Sequence, residues 1–307
     1  MKYSVIIPVY NEEKNIIELH ERVKKVMDSL QKDYEIIIID DGSDDNTYSE
    51  LLKLSPVKLI KFRKNFGQTA AMDAGIKEAE GEILITLDGD LQNPPEEIPK
   101  LLNKMQEGFD VVSGWRHKRK DTFGKKFISR GANVLRKFFI DDKIHDSGCS
   151  LKAYKKECFH QIDLYGEIHR FIPGILLWQG YKVGEVEVEH VARQYGQTKY
   201  NYKRILKGFV DMIGVWFWRK YASRPLHIFG GSGILLTLIG STMLFSLFIL
   251  RLFFNFYLSN RIWPTISVFL ILAGIQLFVS GLLGEILIKN YFNDKRRPYN
   301  IERVIKN

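Results

Sequence analysis

Cysteine is scarce in this chain: Cys149 and Cys158 are the only two among 307 residues. Two thiols cannot build a disulfide framework, so both are expected to be reduced, as in a cytosolic domain. No glycine-rich dinucleotide fingerprint follows the first strand, and no phosphate-cradling Walker loop occurs. Neither a nicotinamide oxidoreductase nor a P-loop NTPase is therefore supported. A cleavable apolar leader is also missing, because Met1-Lys2-Tyr3 runs straight into a short strand ending at Pro8, and no signal peptide is expected. His145, His160, His169 and His190 lack metal-ligand spacing and read as structural or surface residues.

What the chain does contain is a hydrophobic fraction of 45% and a formal charge of +9. At roughly 150 residues per domain, its length suggests about two units. An excess of positive charge implies an anionic partner, whether nucleic acid, a phosphorylated substrate or a membrane surface. The basic residues gather after Trp115 and flank long apolar segments, which favours lipid and argues against nucleic acid.

Strands and helices alternate along the first part. Tyr3 to Ile7 reads as a strand closed by Pro8-Val9-Tyr10-Asn11, and Glu12 to Leu30 as a helix with Ile16, Leu19, Val23, Val26 and Leu30 on one stripe. Tyr34 to Ile39 is a second strand, followed by Asp40-Asp41-Gly42-Ser43 and a helix start over Asp44 to Thr47. Further strands are expected at Val57 to Phe62, Glu82 to Leu87 and Asp110 to Ser113, with helices over Gln68 to Ala79 and after Pro94-Pro95. This alternation predicts an α/β fold, a mostly parallel sheet covered by helices with its site at the carboxyl ends of the strands.

Polar clusters fall at those ends: Pro8-Tyr10-Glu12, Asp40-Asp41, Arg63-Lys64-Asn65-Phe66-Gly67 and Asp88-Gly89-Asp90. On an extended segment Asp88 and Asp90 would point the same way, with Gln92 next on that side. Two like charges so close call for a cation between them. Mg²⁺ suits the place, being commonly held by one or two carboxylates and completed by substrate phosphates. A solvated acidic loop is the structural alternative.

With these residues in view, the chain resembles family-2 glycosyltransferases of the GT-A fold, in the polyprenyl-phosphate branch. The resemblance rests on Val5-Ile6-Ile7-Pro8-Val9-Tyr10-Asn11-Glu12-Glu13, Ile39 through Thr47, Arg63 through Gln68, Asp88 through Glu96, and Tyr195-Gly196-Gln197-Thr198-Lys199-Tyr200. It implies that Pro8, Tyr10, Glu12 and Asp41 hold the base and ribose of a nucleotide sugar, UDP- or GDP-linked, together with Arg63, Asn65, Gly67, Asp88 and Gly89. It also implies that Asp88, Asp90 and Gln92 surround Mg²⁺ or Mn²⁺. Gly89 stands where related sequences commonly have Ala. Each role has a structural alternative: Pro8 ending a strand, Tyr10 packing, Glu12 favouring a helix start, Asp41 making a turn.

On the acceptor side, Asp146-Ser147-Gly148-Cys149-Ser150-Leu151-Lys152-Ala153-Tyr154 resembles the family's Asp-x-Gly segment, which makes Asp146 the candidate base or orienting group. Arg116 and Arg130, within the basic run that begins at Arg116, are candidates for the acceptor phosphate. Phe127, Ile128, Val134, Leu135, Phe138 and Phe139 beside those charges suggest an interfacial helix. Arg193 and Lys199 are implied as phosphate ligands in a closing loop, where Thr198 replaces the more usual Ser. Arg suits bidentate phosphate binding and Lys a compact charge. Cys149 has no evident nucleophilic role, and burial is expected.

Leu226 to Leu250 and Ile262 to Gly284 carry no formal charge when His227 is neutral. Each exceeds the roughly 20 residues needed to cross a bilayer core. Arg219, Lys220 and Arg224 before the pair and Lys289, Lys295, Arg296 and Arg297 after it predict a hairpin with both ends cytoplasmic. The expected organisation is a catalytic domain over 1–200, an interfacial helix over 201–225, the hairpin over 226–290 and a basic tail over 291–307. Gly230-Gly231-Ser232-Gly233 and Gly281-Leu282-Leu283-Gly284 offer surfaces for close helix packing, or for association of copies into a homo-oligomer.

The function expected is transfer of a sugar from a nucleoside diphosphate sugar to polyprenyl phosphate at the plasma membrane. Two alternatives stay open: a glycosyltransferase acting on a glycan or glycolipid hydroxyl, and a catalytically silent membrane scaffold.

Overall fold

The computed structural model describes residues 2–116, 144–160, 162, 164, 166, 168–193, 214, 216, 217, 225–254, 257 and 262–293. Arg130, Lys199, the apolar segment around 127–139, most of the juxtamembrane segment and the basic tail from 294 on lie outside the described residues. Two compact units are present, Met1–Trp216 and Phe217–Asn307.

The first unit is built on a seven-stranded sheet. Its strands are β1 (Tyr3–Val9), β2 (Tyr34–Asp40), β3 (Lys58–Lys61), β4 (Ile83–Thr86), β5 (Val111–Trp115), β6 (Lys152–Lys155) and β7 (Val183–Glu187). They lie in the order β3-β2-β1-β4-β6-β5-β7. β6 runs antiparallel to both neighbours and the remaining pairs are parallel. Strands buried on both faces need unbroken aliphatic runs, and alternation then splits each run between two cores. Val5, Ile7, Ile36, Ile38 and Ile85 pack with helices α1 (Ile16–Ser29) and α4 (Ile98–Gln106). Ile6, Ile37, Ile39 and Leu84 face α3 (Gln68–Glu78), and the same core takes in α5 (Ile172–Trp178).

Several boundaries differ from expectation for identifiable reasons. The first helix begins at Ile16 rather than Glu12, because the Glu12 carbonyl accepts N–H bonds from Asn15 (2.9 Å) and Ile16 (3.2 Å) in a tight turn. At the start of α2 (Thr47–Leu51), Asp45 accepts the Thr47 N–H at 2.9 Å, while Asn46 makes no side-chain cap. Pro8 lies within β1 instead of ending it. β1 pairs with β4 only as far as Ile6 opposite Thr86. Alternate β1 residues turn toward β4, so the absent N–H of Pro8 faces a place where that ladder has stopped. β6 and β7 were not expected at all. Lys-Ala-Tyr-Lys reads as solvated charge, and Val-Gly-Glu-Val-Glu carries too little apolar content to signal a strand.

In the second unit a π-helical turn, Leu226–Gly230, leads into α6 (Gly231–Phe254), and α7 (Trp263–Asn293) returns against it. Leu226–Phe254 and Trp263–Leu287 are long and apolar enough to cross a membrane. Large side chains such as Phe245 (64% exposed) and Phe269 (69%) point outward, a surface suited to lipid rather than water. The seam between the helices is made of small residues. A Cβ on Gly233 would lie 2.5 Å from the Gly274 carbonyl oxygen, and one on Gly240 would lie 2.7 Å from that of Ser267. Gly231, expected on this surface, meets nothing within 4 Å. Overpacking a tight contact costs roughly 1–3 kcal/mol or more. Gly233→Leu is therefore expected to lower the thermal midpoint in detergent by several degrees, and Gly231→Leu to leave it unchanged.

Candidate active site

Parallel strands leave the sheet at one edge, and the antiparallel β6 enters it there. The segments after β1, β2, β3, β4, β5 and β7 and the segment before β6 therefore converge. Loops after β1 and β2 are laced together: Asn11 N–H bonds Ser43 Oγ (3.0 Å), Glu12 N–H bonds Thr47 Oγ1 (2.8 Å), and Tyr10 donates its hydroxyl to Asp44 (3.0 Å). Asp41 accepts the backbone N–H groups of Phe66 (2.7 Å) and Gly67 (2.9 Å), which binds the loop after β3 to β2. Gly42 has φ +70, and any Cβ there would strike the Lys64 backbone, so this crossing requires glycine. Arg63 and Asn65 lie exposed on that loop, after the strand at the sheet's outer edge.

The acidic pair is arranged by a turn and not by strand alternation, since β4 ends at Thr86. Leu91 follows with a left-handed φ of 58, a conformation that costs a non-glycine residue energy and clusters at functional sites. Asp88, half-buried, accepts from Gln68 Nε2 at 2.6 Å. Burial, then the neighbouring charge of Asp90, raises its pKa to about 6, against lowering by Ser150, Arg116 and Lys152. Asp90, buried, accepts the Gln92 N–H (3.1 Å) and the Arg193 guanidinium (2.9 Å). Arg193 Nη2 also reaches Glu12 at 3.4 Å. The Gln92 carbonyl pins the segment after β7 by accepting the Val191 N–H (2.9 Å) and meeting His190 Nδ1 (3.1 Å). Gly89 is buried, and a Cβ there would lie 2.8 Å from Val9 Cγ1.

A second charged pair stands beside the first. Arg116 makes a two-pronged contact with Asp146, Nε at 2.7 Å and Nη2 at 3.0 Å. This pairing drives the already high pKa of Arg116 higher still, although burial opposes it. Gly148 N–H also bonds Asp146, at 3.1 Å. Glu185 of β7 holds the same loop by accepting the N–H groups of His145 (2.8 Å) and Asp146 (3.3 Å). Cys149 is buried, and its thiol is pushed up to about 11, chiefly by that burial. Sequence reasoning gave no role to Gln68, Ser150 and Lys152, which it met only inside matching stretches, and passed over Glu185. Their polarity looks like surface, and only the insertion of β6 turns Lys152 inward.

The carboxylates at this edge are the kind of oxygen donor a divalent ion takes. Asp88 and Asp90 crowd negative charge that a cation would relieve, and Gln92 adjoins them. Among the described residues no group of three or more His, Cys, Asp or Glu is placed to hold a metal, so substrate oxygens would have to complete the shell, the habit of Mg²⁺.

The family described as Glycosyl transferase family 2 matches residues 4–163. Dodecaprenyl-phosphate galacturonate synthase of Rhizobium johnstonii is 35% identical over 99% of this chain and 93% of its own length. Undecaprenyl-phosphate 4-deoxy-4-formamido-L-arabinose transferase of Proteus mirabilis is 33% identical over 99% and 94%. Among solved structures, glucosyl-3-phosphoglycerate synthase from Mycobacterium tuberculosis, in complex with Mn²⁺, uridine diphosphate and phosphoglyceric acid, shares the fold with a TM-score of 0.56 at 18% identity. That match covers 71% of this chain and 78% of that one. A sheet edge lined with paired acids and paired cations, a family match over more than half the chain and relatives alike from end to end lead to one statement: this chain belongs to glycosyltransferase family 2.

Proposed function

We propose that the protein transfers a sugar from a nucleoside diphosphate sugar to polyprenyl phosphate, with Mg²⁺ or Mn²⁺ as cofactor. The observation that carries this reading is the end-to-end likeness, hairpin included, to enzymes named for dodecaprenyl- and undecaprenyl-phosphate. Structural neighbours crystallised with Mn²⁺ or Mg²⁺ and uridine diphosphate support the cofactor.

In this reading Asp88 and Asp90, with Gln92, would hold the ion, which would stabilise negative charge developing on the leaving diphosphate. Pro8, Tyr10, Glu12 and Asp41 would line the nucleotide end of the edge. Arg193 would exchange its carboxylate partners for phosphate oxygen. A lipid phosphate oxygen attacks the anomeric carbon as the bond to the diphosphate breaks, and the bonding electrons leave with the diphosphate. Phosphate monoesters have a second pKa of about 6, so the acceptor needs no strong base. Asp146, engaged by Arg116 and Gly148, then serves to orient. The hairpin would hold the catalytic unit at the cytoplasmic face of the plasma membrane, both termini inside, where the search for acceptor is confined to a surface.

Purified protein in lipid, given a panel of radiolabelled nucleotide sugars, should form an organic-extractable product from polyprenyl phosphate and lose that activity on chelation. Transfer to hydroxyl acceptors alone would sink the proposal, and no turnover with any donor would favour the scaffold.

A further inference from the structure

Lys152 has no part in the chemistry above, yet it is 3% exposed at the centre of the charged edge. It stands in β6 opposite Thr86 of β4 and Ser113 of β5, so its side chain shares their face of the sheet. The ammonium donates to the Ser147 carbonyl at 3.2 Å, its one hydrogen bond among the described residues. Lys carries three donors, so the others are left over. Burial lowers its pKa to about 8, while the charges of Asp146 and Asp88 act in its favour and that of Arg116 against it. A buried ammonium costs stability that a methionine of similar length would not, so packing does not account for it.

The segment it touches is gripped from both sides. Glu185 takes the N–H groups of His145 and Asp146, and the ring of His145 stacks on Trp115 at 4.5 Å. Lys152 takes the next carbonyl, that of Ser147, from within the sheet. Between these holds, Asp146 meets Arg116.

We propose that Lys152 is a positioning residue for glycosyl transfer: it fixes the Asp146–Gly148 loop, and with it the Asp146–Arg116 pair, against Asp88, and so sets where the acceptor phosphate stands. This deepens the reading of the chain as a lipid-phosphate glycosyltransferase and rests on it.

The test uses full-length protein in lipid nanodiscs, as wild type, Lys152→Met, Lys152→Arg, Asp146→Asn and the Lys152→Met/Asp146→Asn double variant. Rates are measured with polyprenyl phosphate and nucleotide sugar varied separately, and binding of uridine diphosphate with Mn²⁺ by calorimetry. Lys152→Met is expected to lower kcat/KM for the lipid phosphate by about tenfold or more while nucleotide binding stays within about twofold. Its loss and that of Asp146→Asn should not add, because both act through one loop. Lys152→Arg, which keeps charge and donors, should recover most of the rate. An unchanged kcat/KM for lipid phosphate, additive losses, or equal damage to nucleotide binding would overturn the inference. If Lys152→Met does not fold, folded Lys152→Arg decides: near-wild-type acceptor kinetics support the role, and a loss of tenfold or more refutes it. Wild type that transfers to no lipid phosphate removes the functional reading itself and the inference with it. Active wild type with an indifferent Lys152→Met removes the inference alone.

Discussion

Asp90→Ala is expected to abolish metal-dependent transfer, lowering turnover by about a thousandfold or more, the scale of losing a fixed charge-stabilising group. The carboxylate is buried and lies at the centre of the edge, taking the Gln92 N–H on one oxygen and Arg193 on the other. Without it, Asp88 is the lone acid of the pair, and Arg193 keeps Glu12 as its remaining partner of the two. Titrating Mn²⁺ in the radiolabelled-sugar assay should restore little activity at any concentration. The variant should still fractionate with membranes, because the apolar hairpin belongs to the second unit. Normal turnover in Asp90→Ala would contradict the metal assignment.

Arg193→Gln is expected to move two measurements in opposite directions. Turnover should fall by about a hundredfold or more, since the cation proposed to meet the diphosphate is lost. Binding of Mn²⁺ without nucleotide should tighten severalfold, because nearby positive charge no longer opposes the ion. In the present structure the guanidinium stands between Asp90 (2.9 Å) and Glu12 (3.4 Å), so an ion held as proposed at Asp90 would compete with it. Paramagnetic resonance of free Mn²⁺ reads the affinity directly. If that affinity is unchanged or weaker in the variant, Arg193 does not compete for the acidic pair. Glu12→Gln offers a milder comparison, as it takes the charge from the longer of the two contacts.

Much of this edge was legible in one dimension. An aliphatic run that turns abruptly polar marks both a buried strand and its end, and Asp40-Asp41 and Asp88-Gly89-Asp90 were found that way. The hairpin was equally plain, because a membrane span is a statement about length and composition. Contacts were not legible. Arg116 and Asp146 are 30 residues apart, and Arg193 and Asp90 are 103 apart. Nothing in either segment names its partner. The seam of the hairpin shows the same limit: glycines were visible, but rotation about the helix axis put Gly233 against Gly274 and left Gly231 outside.

By itself, then, the sequence determined the parallel α/β core, the strand ends that carry polar groups and the apolar hairpin. Each follows from periodicity or composition within a single segment. Only the tertiary structure decided that β6 enters antiparallel between β4 and β5, that a turn and not an extended strand shapes the acidic pair, and that Lys152 is buried among charges. The physical reason is that periodicity reports whether a segment is buried, whereas strand order and electrostatic pairing depend on residues distant in the chain. Those distant residues give Asp88-Gly89-Asp90 its surroundings: Gln68 from one helix, Arg193 from beyond the last strand and Lys152 from the strand that runs the other way.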